Sequence, residues 1–378
     1  MPSMPAARIL PSHRRYGSGG AVLSNLVAMT VRADRPLFAA LPDLRVPWMP
    51  LAHVPTPVEP CTAIAGWLGA GERVHMKRDD LASPLYGGNK VRRFEFLLAD
   101  AKARGARRLV TVGGLASTQA MATALFGREL GFPVRVVLFD QPLTRFAQDA
   151  VRTLVTAGAD VIYGGGIPQT AFRTLRLLER GDYVIFPGAA SPLANLGYVD
   201  AMLELGEQVA RSEVPRPDLV VVPTGSSGTL AGLALGAAFL GWPTEIVGVR
   251  ITAAYACNRL TVATVVHRTD RFISQRSRHW RKQRPPRWRI DGSALGEGYG
   301  YPTHEARDGA AQVMELTGAA GEITYSGKAL AALRRIVRAH PEKQVLLWNT
   351  LSTPRPPIVT NARIPHELAW MYERETVA

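Results

Sequence analysis

Residues 77–93 read KRDDLASPLYGGNKVRR, and this stretch contains the most informative lysine of the chain, Lys90. It directly follows Gly-Gly-Asn, at the first turn of a segment with helical apolar spacing. Glycines let a flat molecule approach the backbone closely. The helix terminus, Arg92 and Arg93 favour the neutral amine, which is the nucleophilic form. The stretch therefore suits a lysine that forms a Schiff base, although a glycine turn with Asn89 as helix N-cap and a solvated Lys90 is the alternative for the tripeptide alone.

The longer pattern resembles a known family. Lys-Arg-(Asp/Glu)-Asp, a short gap and Gly-Gly-Asn-Lys is similar to the pyridoxal 5'-phosphate (PLP) enzymes of fold type II, in the branch of the 1-aminocyclopropane-1-carboxylate (ACC) deaminases and D-cysteine desulfhydrases. The resemblance extends over about residues 35–351. It implies that Lys90 carries PLP as a Schiff base, that the substrate is a small amino acid and that the protein is a homodimer.

Composition sets the class of protein. With 378 residues, 47% hydrophobic, 35 Gly and 28 Pro, the chain is expected to be a loop-rich globular enzyme. It contains no apolar run of the ~18 residues that a membrane helix needs, so a soluble protein is expected. Cys61 and Cys257 lie far apart without metal-ligand spacing, which predicts reduced thiols, a cytoplasmic location and no metal site.

The formal charge of +14 is concentrated in one segment. Residues 267–290 contain nine Lys and Arg against Asp270 alone, a net +8, with Trp280 and Trp288 between them. Such a tract can hold a phosphate backbone and stack on bases. Because nothing else resembles a nucleic-acid module, the favoured interpretation is a solvated surface insertion that is dispensable for the fold, and nucleic acid is disfavoured as a partner.

Short apolar runs alternate with helical patterns along most of the chain. Strands are predicted at 74–77, 109–112, 134–139, 160–163, 183–186, 219–223, 245–251 and 344–348. Helices are predicted at 118–130, 145–157, 169–179, 195–211, 229–240, 303–316 and 326–339. This alternation predicts an α/β fold with two Rossmann-like parallel-sheet lobes and a cofactor cleft between them.

The predicted division of the chain follows the family pattern. It consists of a flexible N-terminal extension (1–34), a large PLP-binding domain (35–92 and 198–360, with the basic insertion 267–290), a small domain (93–197) and a C-terminal tail (361–378).

A Gly-Ser-Ser-Gly-Thr turn follows the predicted strand 219–223. At a strand-to-helix junction, free backbone N–H groups and the helix dipole converge on an anion. The spacing matches neither a Walker loop nor G-x-G-x-x-G, and an ordinary turn is the alternative. The resemblance implies that it holds the PLP phosphate through Gly225, Ser226, Ser227, Gly228 and Thr229.

A second cluster lies at residues 113–119, which read GGLASTQ. On sequence alone, Ser117 is best interpreted as a helix N-cap. In the family, this serine lies over the cofactor near the substrate, and the next residue is an asparagine that binds the ring hydroxyl. Ser117 and Gln119 match the family pattern, whereas Thr118 replaces the asparagine.

Two tyrosine motifs follow. Gly-Tyr-Gly-Tyr-Pro resembles a family segment that places Tyr299 in the substrate pocket, although tyrosines between glycines also serve as loop anchors. Tyr-Ser-Gly-Lys resembles the segment in which Tyr325 lies beside the cofactor and Ser326 faces the pyridine nitrogen. With Lys90 and Ser117, the two tyrosines form the predicted catalytic set.

The residue at the pyridine nitrogen separates two chemistries. A carboxylate there strengthens the ring as an electron sink, whereas a hydroxyl leaves a weaker one. ACC deaminases have Glu there and Leu in the last loop, and desulfhydrases have Thr or Ser and then Thr. Ser326 and Thr350 thus favour α,β-elimination from a D-cysteine-like substrate, giving pyruvate and ammonia. ACC ring opening, β-substitution and a non-catalytic PLP- or nucleic-acid-binding protein remain alternatives.

Two loops depart from the family. Residues 349–352 read NTLS where the family has His-(Thr/Leu)-Gly-Gly, and residues 188–193 read GAASPL where it has Gly-Gly-Ser-Asn-Pro-Leu. Loss of two glycines beside the cofactor restricts the backbone and predicts a reshaped pocket.

Overall fold

The computed structural model describes residues 32, 34–359, 361 and 363–376. The predicted N-terminal extension lies outside the described residues except for residues 32 and 34.

The larger of two sheets has six strands in the order β1-β2-β10-β7-β8-β9. Its strands are β1 (Val58–Pro60), β2 (Val74–Lys77), β7 (Leu219–Thr224), β8 (Glu245–Arg250), β9 (Trp288–Asp291) and β10 (Val345–Trp348). All neighbouring pairs are parallel except β1 with β2. Because helices cover both faces, its central strands are continuous apolar runs, as parallel sheets require.

The smaller sheet has four parallel strands in the order β5-β4-β3-β6. They are β3 (Arg108–Gly114), β4 (Val134–Phe139), β5 (Asp160–Gly165) and β6 (Asp182–Ile185). Leu109 pairs with Val134 on one side and with Tyr183 on the other. The fold class predicted from the alternating pattern is confirmed.

Eleven α-helices connect these strands in the described part of the chain. They are α1 (Pro36–Ala40), α2 (Thr62–Leu68), α3 (Val91–Ala103), α4 (Thr118–Glu129), α5 (Arg145–Thr156), α6 (Ile167–Leu177), α7 (Pro192–Ala210), α8 (Gly228–Phe239), α9 (Arg259–Ser274), α10 (His304–Thr317) and α11 (Ser326–Ala339). Helix α7 begins three residues before its prediction because Ser191 caps it and Pro192 occupies its first position, where proline is favoured.

Alternate residues of β7 face opposite sides of the large sheet. Val220 and Val222 contact the core formed with α7, α8 and α9, and Leu219 and Val221 contact the core formed with α2, α10 and α11. This period of two is the geometry of a strand buried on both faces.

The C-terminal residues pack onto the smaller sheet. A 3₁₀ turn at His366–Tyr372 buries Leu368 and Met371 in the core of that lobe. Gln148 Nε2 donates to Met371 O at 2.6 Å, and Tyr372 OH donates to Gln148 O at 2.8 Å. The chain therefore returns from β10 to the four-stranded sheet. The predicted domain boundaries themselves stay a prediction.

The basic segment 267–290 is part of the fold, and its interpretation as a solvated surface insertion is wrong. It contains the end of α9 and strand β9, which extends the large sheet by pairing with β8. Ile273 is buried in the core. Trp280 is only 7% exposed and stacks on Phe239 with ring centroids 5.0 Å apart. The dense arginines hide this apolar spacing in the sequence.

We therefore expect Trp280→Ala to destabilise the protein by about 3–5 kcal/mol, because a large buried aromatic side chain is lost. The measurement is the free energy of unfolding in urea. Arg281→Ala, one residue away on the surface, is the matched control and should change stability by less than about 0.5 kcal/mol. Equal small effects of both variants would show that the segment contributes nothing to the core.

Candidate active site

The Gly-Gly turn before α3 holds two loops in close contact. A Cβ on Gly87 would lie 1.9 Å from Asp80 O, and one on Gly88, whose φ is +81°, would lie 2.4 Å from Thr350 O. Asn89 N donates to Thr350 O at 3.1 Å. Only glycine fits at both positions, and the contact places the start of α3 beside the loop that follows β10.

Lys90 lies at the start of α3 and is 6% exposed. Its Nζ donates to Asn89 Oδ1 at 2.6 Å, and Asn89 Nδ2 donates to Thr229 Oγ1 at 3.2 Å. Burial, followed by the positive charge of Arg93, lowers the pKa of Lys90 to about 7. The amine is thus largely neutral at slightly alkaline pH. The alternative with Asn89 as N-cap and Lys90 solvated is wrong.

Arg92 and Arg93 have different roles. The Arg92 guanidinium is neutralised in the core by Asp79 and Glu204, both at 2.9 Å. Arg93 instead contacts the cavity, where Nη2 donates to Thr229 Oγ1 at 2.6 Å and Nη1 donates to the carbonyl of Gly188. Its buried Nε has no hydrogen-bond partner among the described residues. Sequence reasoning treated Arg93 only as a charge beside Lys90, although its position one helical turn after Lys90 was the available signal.

The Gly225–Thr229 turn joins β7 to α8. Ser227 adopts a left-handed conformation with φ +65°, and α8 begins at Gly228 without a side-chain cap. The first N–H groups of a helix have no intrahelical partner. Together with the Arg93 guanidinium, they form a site suited to a phosphate group.

A cavity of about 820 Å³ brings most of the predicted residues together. The predicted residues on its wall are Lys90, Asn89, Ser117, Gln119, Gly225, Ser226, Ser227, Thr229, Tyr299 and Tyr325. Gly113 and Gly114 from the end of β3 and Thr224 from the end of β7 also line it. The cavity thus lies between the two sheets, at the carboxyl ends of their strands, where α/β proteins bind ligands.

Ser117 satisfies both interpretations of its position. Its Oγ accepts a hydrogen bond from Ala120 N at 3.2 Å, as an N-cap does, and its side chain also lines the cavity. Gln119 Nε2 donates to Thr111 Oγ1 at 2.7 Å. The buried Oε1 of the same amide has no hydrogen-bond partner in the described part of the chain. Thr118 is buried in the first turn of α4 and is not on the cavity wall.

Tyr299 and Tyr325 form a hydroxyl pair at 2.9 Å. Burial raises the pKa of Tyr299 to about 12 and raises that of Tyr325 well above its usual value, so both hydroxyls stay protonated at neutral pH. Lys328 Nζ donates to Leu295 O at 2.7 Å and to Gly298 O at 2.6 Å. Lys328 therefore holds the loop that carries Tyr299 against α11.

Ser326 and Thr350 do not line the main cavity. They meet in a small second cavity, which shares Pro223 with the first. Ser326 Oγ donates to Glu322 O at 2.9 Å and accepts from Glu322 N at 2.8 Å.

The buried Glu322 carboxylate accepts from the N–H groups of Thr324 and Tyr325, and burial raises its pKa. Sequence reasoning missed Glu322, although an acid just before a helix start was a usable signal.

The structure explains why residues 349–352 differ from the glycine-containing loop of the family. Ser352 Oγ accepts a hydrogen bond from Gly87 N at 2.8 Å and donates one to Pro354 O at 2.8 Å. The serine thus fixes the loop against the glycine turn by its side chain.

The pKa of Lys90 predicts its reactivity toward an amine-acetylating reagent. Only the neutral amine is nucleophilic, so in the cofactor-free protein the rate at Lys90 should rise as the pH rises through about 7. Peptide mass analysis measures each lysine separately, with the exposed Lys102 as the internal reference. Arg93→Met should move the Lys90 profile to higher pH, since the nearby positive charge is removed. A Lys90 profile that coincides with that of Lys102 would contradict the assignment.

Two absences hold for the described part of the chain. None of its helices is long and apolar enough to cross a bilayer. It also contains no group of three or more His, Cys, Asp or Glu side chains arranged to hold a metal ion.

Comparison with known proteins agrees with this geometry. The family model described as "Pyridoxal-phosphate dependent enzyme" matches residues 49–350. A D-cysteine desulfhydrase of Salmonella choleraesuis (strain SC-B67) is 30% identical over 315 residues, which is 76% of this chain and 88% of the relative.

Solved structures show the same architecture. An ACC deaminase homologue has a TM-score of 0.69 and 26% identity, covering 89% of this chain and 98% of that one. An L-serine ammonia-lyase from Rhizomucor miehei shares the fold, with a TM-score of 0.57 and 18% identity over 80% of this chain and 94% of that one. The chain therefore belongs to the pyridoxal-phosphate-dependent enzymes of fold type II and uses PLP as its cofactor.

Proposed function

We propose that this PLP-dependent lyase performs α,β-elimination on a small amino acid with a β leaving group, and that D-cysteine is its substrate. The choice of this reaction over ACC ring opening rests on the Ser326–Thr350 pair. The two side chains line one small cavity beside the main one. The 30% identical relative named a D-cysteine desulfhydrase supports the same reaction.

The residues of the main cavity fit the cofactor. The buried Arg93 Nε has no hydrogen-bond partner within the described residues, and Arg93 contacts the start of α8 through Thr229. We propose that the PLP phosphate binds there, at the Gly225–Thr229 turn, and that the nearby Lys90 forms the Schiff base. Asn89 lines the same cavity and is proposed as a further cofactor contact, and Ser326 is proposed to contact the cofactor ring from the adjoining small cavity. Thr118 lies off the cavity wall, so its predicted cofactor contact is not part of this proposal.

The protein's own groups bind the substrate and move its protons. PLP, when bound, supplies an aldehyde that joins the amino group and a ring that accepts electrons from Cα. Lys90 Nζ, neutral above pH 7 or so, takes the Cα proton as a general base. Ser117 Oγ on the cavity wall donates a hydrogen bond to the substrate carboxylate, and Gln119 on the same wall is proposed as a further substrate contact.

The paired hydroxyls of Tyr299 and Tyr325 lie on the same wall. Because both stay protonated, one can donate a hydrogen bond or proton to the leaving thiolate. With water, D-cysteine then yields pyruvate, ammonia and hydrogen sulfide, without any oxidant or reductant. Thr350 is proposed as a further substrate contact from the adjoining small cavity.

A substrate panel tests the reaction. We expect the PLP-loaded protein to release pyruvate and sulfide from D-cysteine faster than from L-cysteine, and to convert ACC more slowly. Lys90→Ala should lower the rate by a factor of at least about 100, the loss expected for a general base. Borohydride reduction followed by peptide mapping should place the cofactor mass on Lys90.

The same panel distinguishes the proposed reaction from the alternative functions. Faster ammonia release from ACC than from D-cysteine would favour ACC deamination, the activity for which the solved ACC deaminase homologue is named. Bound PLP without turnover of any panel member would favour a non-catalytic protein. Cofactor mass on a different lysine would reject the role of Lys90.

The Ser326–Thr350 pair provides a second test. Ser326→Glu with Thr350→Leu places a carboxylate where a neutral hydroxyl now lies, so it should reduce β-elimination and raise the ratio of ACC to D-cysteine turnover. Rates with both substrates measure this ratio, and Ser326→Thr with native Thr350 is the matched control that keeps a hydroxyl. An unchanged ratio in the double variant would show that these positions do not set the chemistry.

A homodimer and a cytoplasmic location complete the proposal. Sedimentation of the purified protein and fractionation of the source cells measure them directly.

A further inference from the structure

The basic segment 267–290 is the feature that the proposed function leaves unexplained. None of its residues lines the main cavity. Its cations are Arg268, Arg271, Arg276, Arg278, Arg281, Lys282, Arg284, Arg287 and Arg289, against the single acid Asp270.

The fold presents these cations on a fixed framework. Asp270 on α9 accepts from Trp280 Nε1 at 2.8 Å and from Lys282 Nζ at 2.5 Å, so the loop after the helix lies beside it. Gln283 N donates to Ala238 O at the end of α8 at 2.9 Å. A charged surface on an ordered framework loses less conformational entropy when it binds than a flexible tail does.

The acids in contact with this surface are already paired. Asp270 binds Lys282, Asp43 binds Arg278 and His279, and Glu245 binds Arg289. Five exposed arginines have no ion-pair or hydrogen-bond partner for their guanidinium groups among the residues that the structure describes. They are Arg268, Arg271, Arg281, Arg284 and Arg287.

The guanidinium groups of these arginines favour phosphate as the ligand group. Eight of the nine cations are arginine, whose planar guanidinium donates two parallel hydrogen bonds to phosphate. A second copy of this chain is a poor occupant, because it would bring like charges together. The segment also lacks an exposed large apolar side chain that could enter a membrane.

Both tryptophans of the segment pack into the fold, and Trp288 is partly buried against the core of the large sheet. Trp280 is 7% exposed and stacked on Phe239, so it has no free face for a base. Stacking on unpaired bases, which single-strand binders use, is therefore not available at this residue. Contacts to phosphates alone suit a duplex.

We propose that the basic segment binds the phosphate backbone of double-stranded nucleic acid without reading its sequence. This revises the expectation from sequence, in which the segment was a solvated surface insertion and nucleic acid was disfavoured as a partner. The proposal is independent of the reaction catalysed in the cleft.

Fluorescence anisotropy with a labelled duplex DNA of roughly two helical turns tests the proposal on the PLP-loaded full-length protein. If the five free arginines each contact one phosphate, the slope of log affinity against log salt should be about −4.5, so binding should weaken by about 500-fold between about 50 and 200 mM salt. No binding at about 50 mM salt would overturn the proposal.

Matched variants distinguish the effect of this surface on DNA binding from the effect of the protein's net charge. The triple variant Arg268→Glu, Arg271→Glu and Arg284→Glu should weaken binding by at least about 50-fold and make the salt slope shallower by about 3. The control triple Lys102→Glu, Arg176→Glu and Arg180→Glu changes the charge equally on exposed residues of the other lobe and should have an effect of less than about threefold. Equal weakening by the two triples would overturn the proposal.

Two further measurements complete the experiment. PLP binding by the surface triple should be unchanged, and if that triple does not fold, the corresponding Arg→Gln triple should show the same direction of effect on DNA binding. Retained DNA affinity in a folded surface variant would reject the proposal. So would binding to phosphatidylserine vesicles that duplex DNA does not compete away, because the partner would then be a membrane surface.

Discussion

The carboxylate of Asp79 is the interaction on which the cofactor lobe depends. It is fully buried and accepts hydrogen bonds from Arg92 Nη2 at 2.9 Å, Trp348 Nε1 at 2.7 Å, Tyr198 OH at 2.9 Å and Thr56 Oγ1 at 2.8 Å. These donors come from the start of α3, the end of β10, helix α7 and the loop before β1. One side chain thus joins four parts of the chain that are distant in sequence.

A second buried carboxylate extends the network. Glu204 pairs with Arg92 at 2.9 Å and with Lys77 at 2.6 Å, and the two cations hold its pKa well below the usual range despite burial. Removal of one partner from such a network typically costs about 3–5 kcal/mol, because it leaves an uncompensated charge in the core. Since Arg92 lies two residues after Lys90, the network also fixes the helix start on which the reactive amine lies.

Much of the site was predictable because its signals are local. Lys90, Ser117 and the Gly225–Thr229 turn each lie at the junction of a strand and a helix, and the carboxyl ends of parallel strands meet at one edge. The contact of Arg93 with Thr229 was not predictable, because it joins residues 136 positions apart. Trp280 was misjudged for a different reason. Its apolar neighbours in space, among them Phe239, are not its neighbours in the sequence, where arginines surround it.

The hydrogen bonds of Lys77 and Lys328 help to explain why the PLP aldehyde would react with Lys90 and not with another lysine. Only six of the 45 Lys and Arg residues are lysines. Lys77 Nζ is held by Glu204 and the Thr56 carbonyl, Lys328 Nζ by two backbone carbonyls, and Lys282 Nζ by Asp270. Guanidinium groups, which stay protonated, do not compete for a carbonyl compound under the same conditions. A chain whose cations are mostly arginine therefore offers its own cofactor few amines that compete with the one in the cleft.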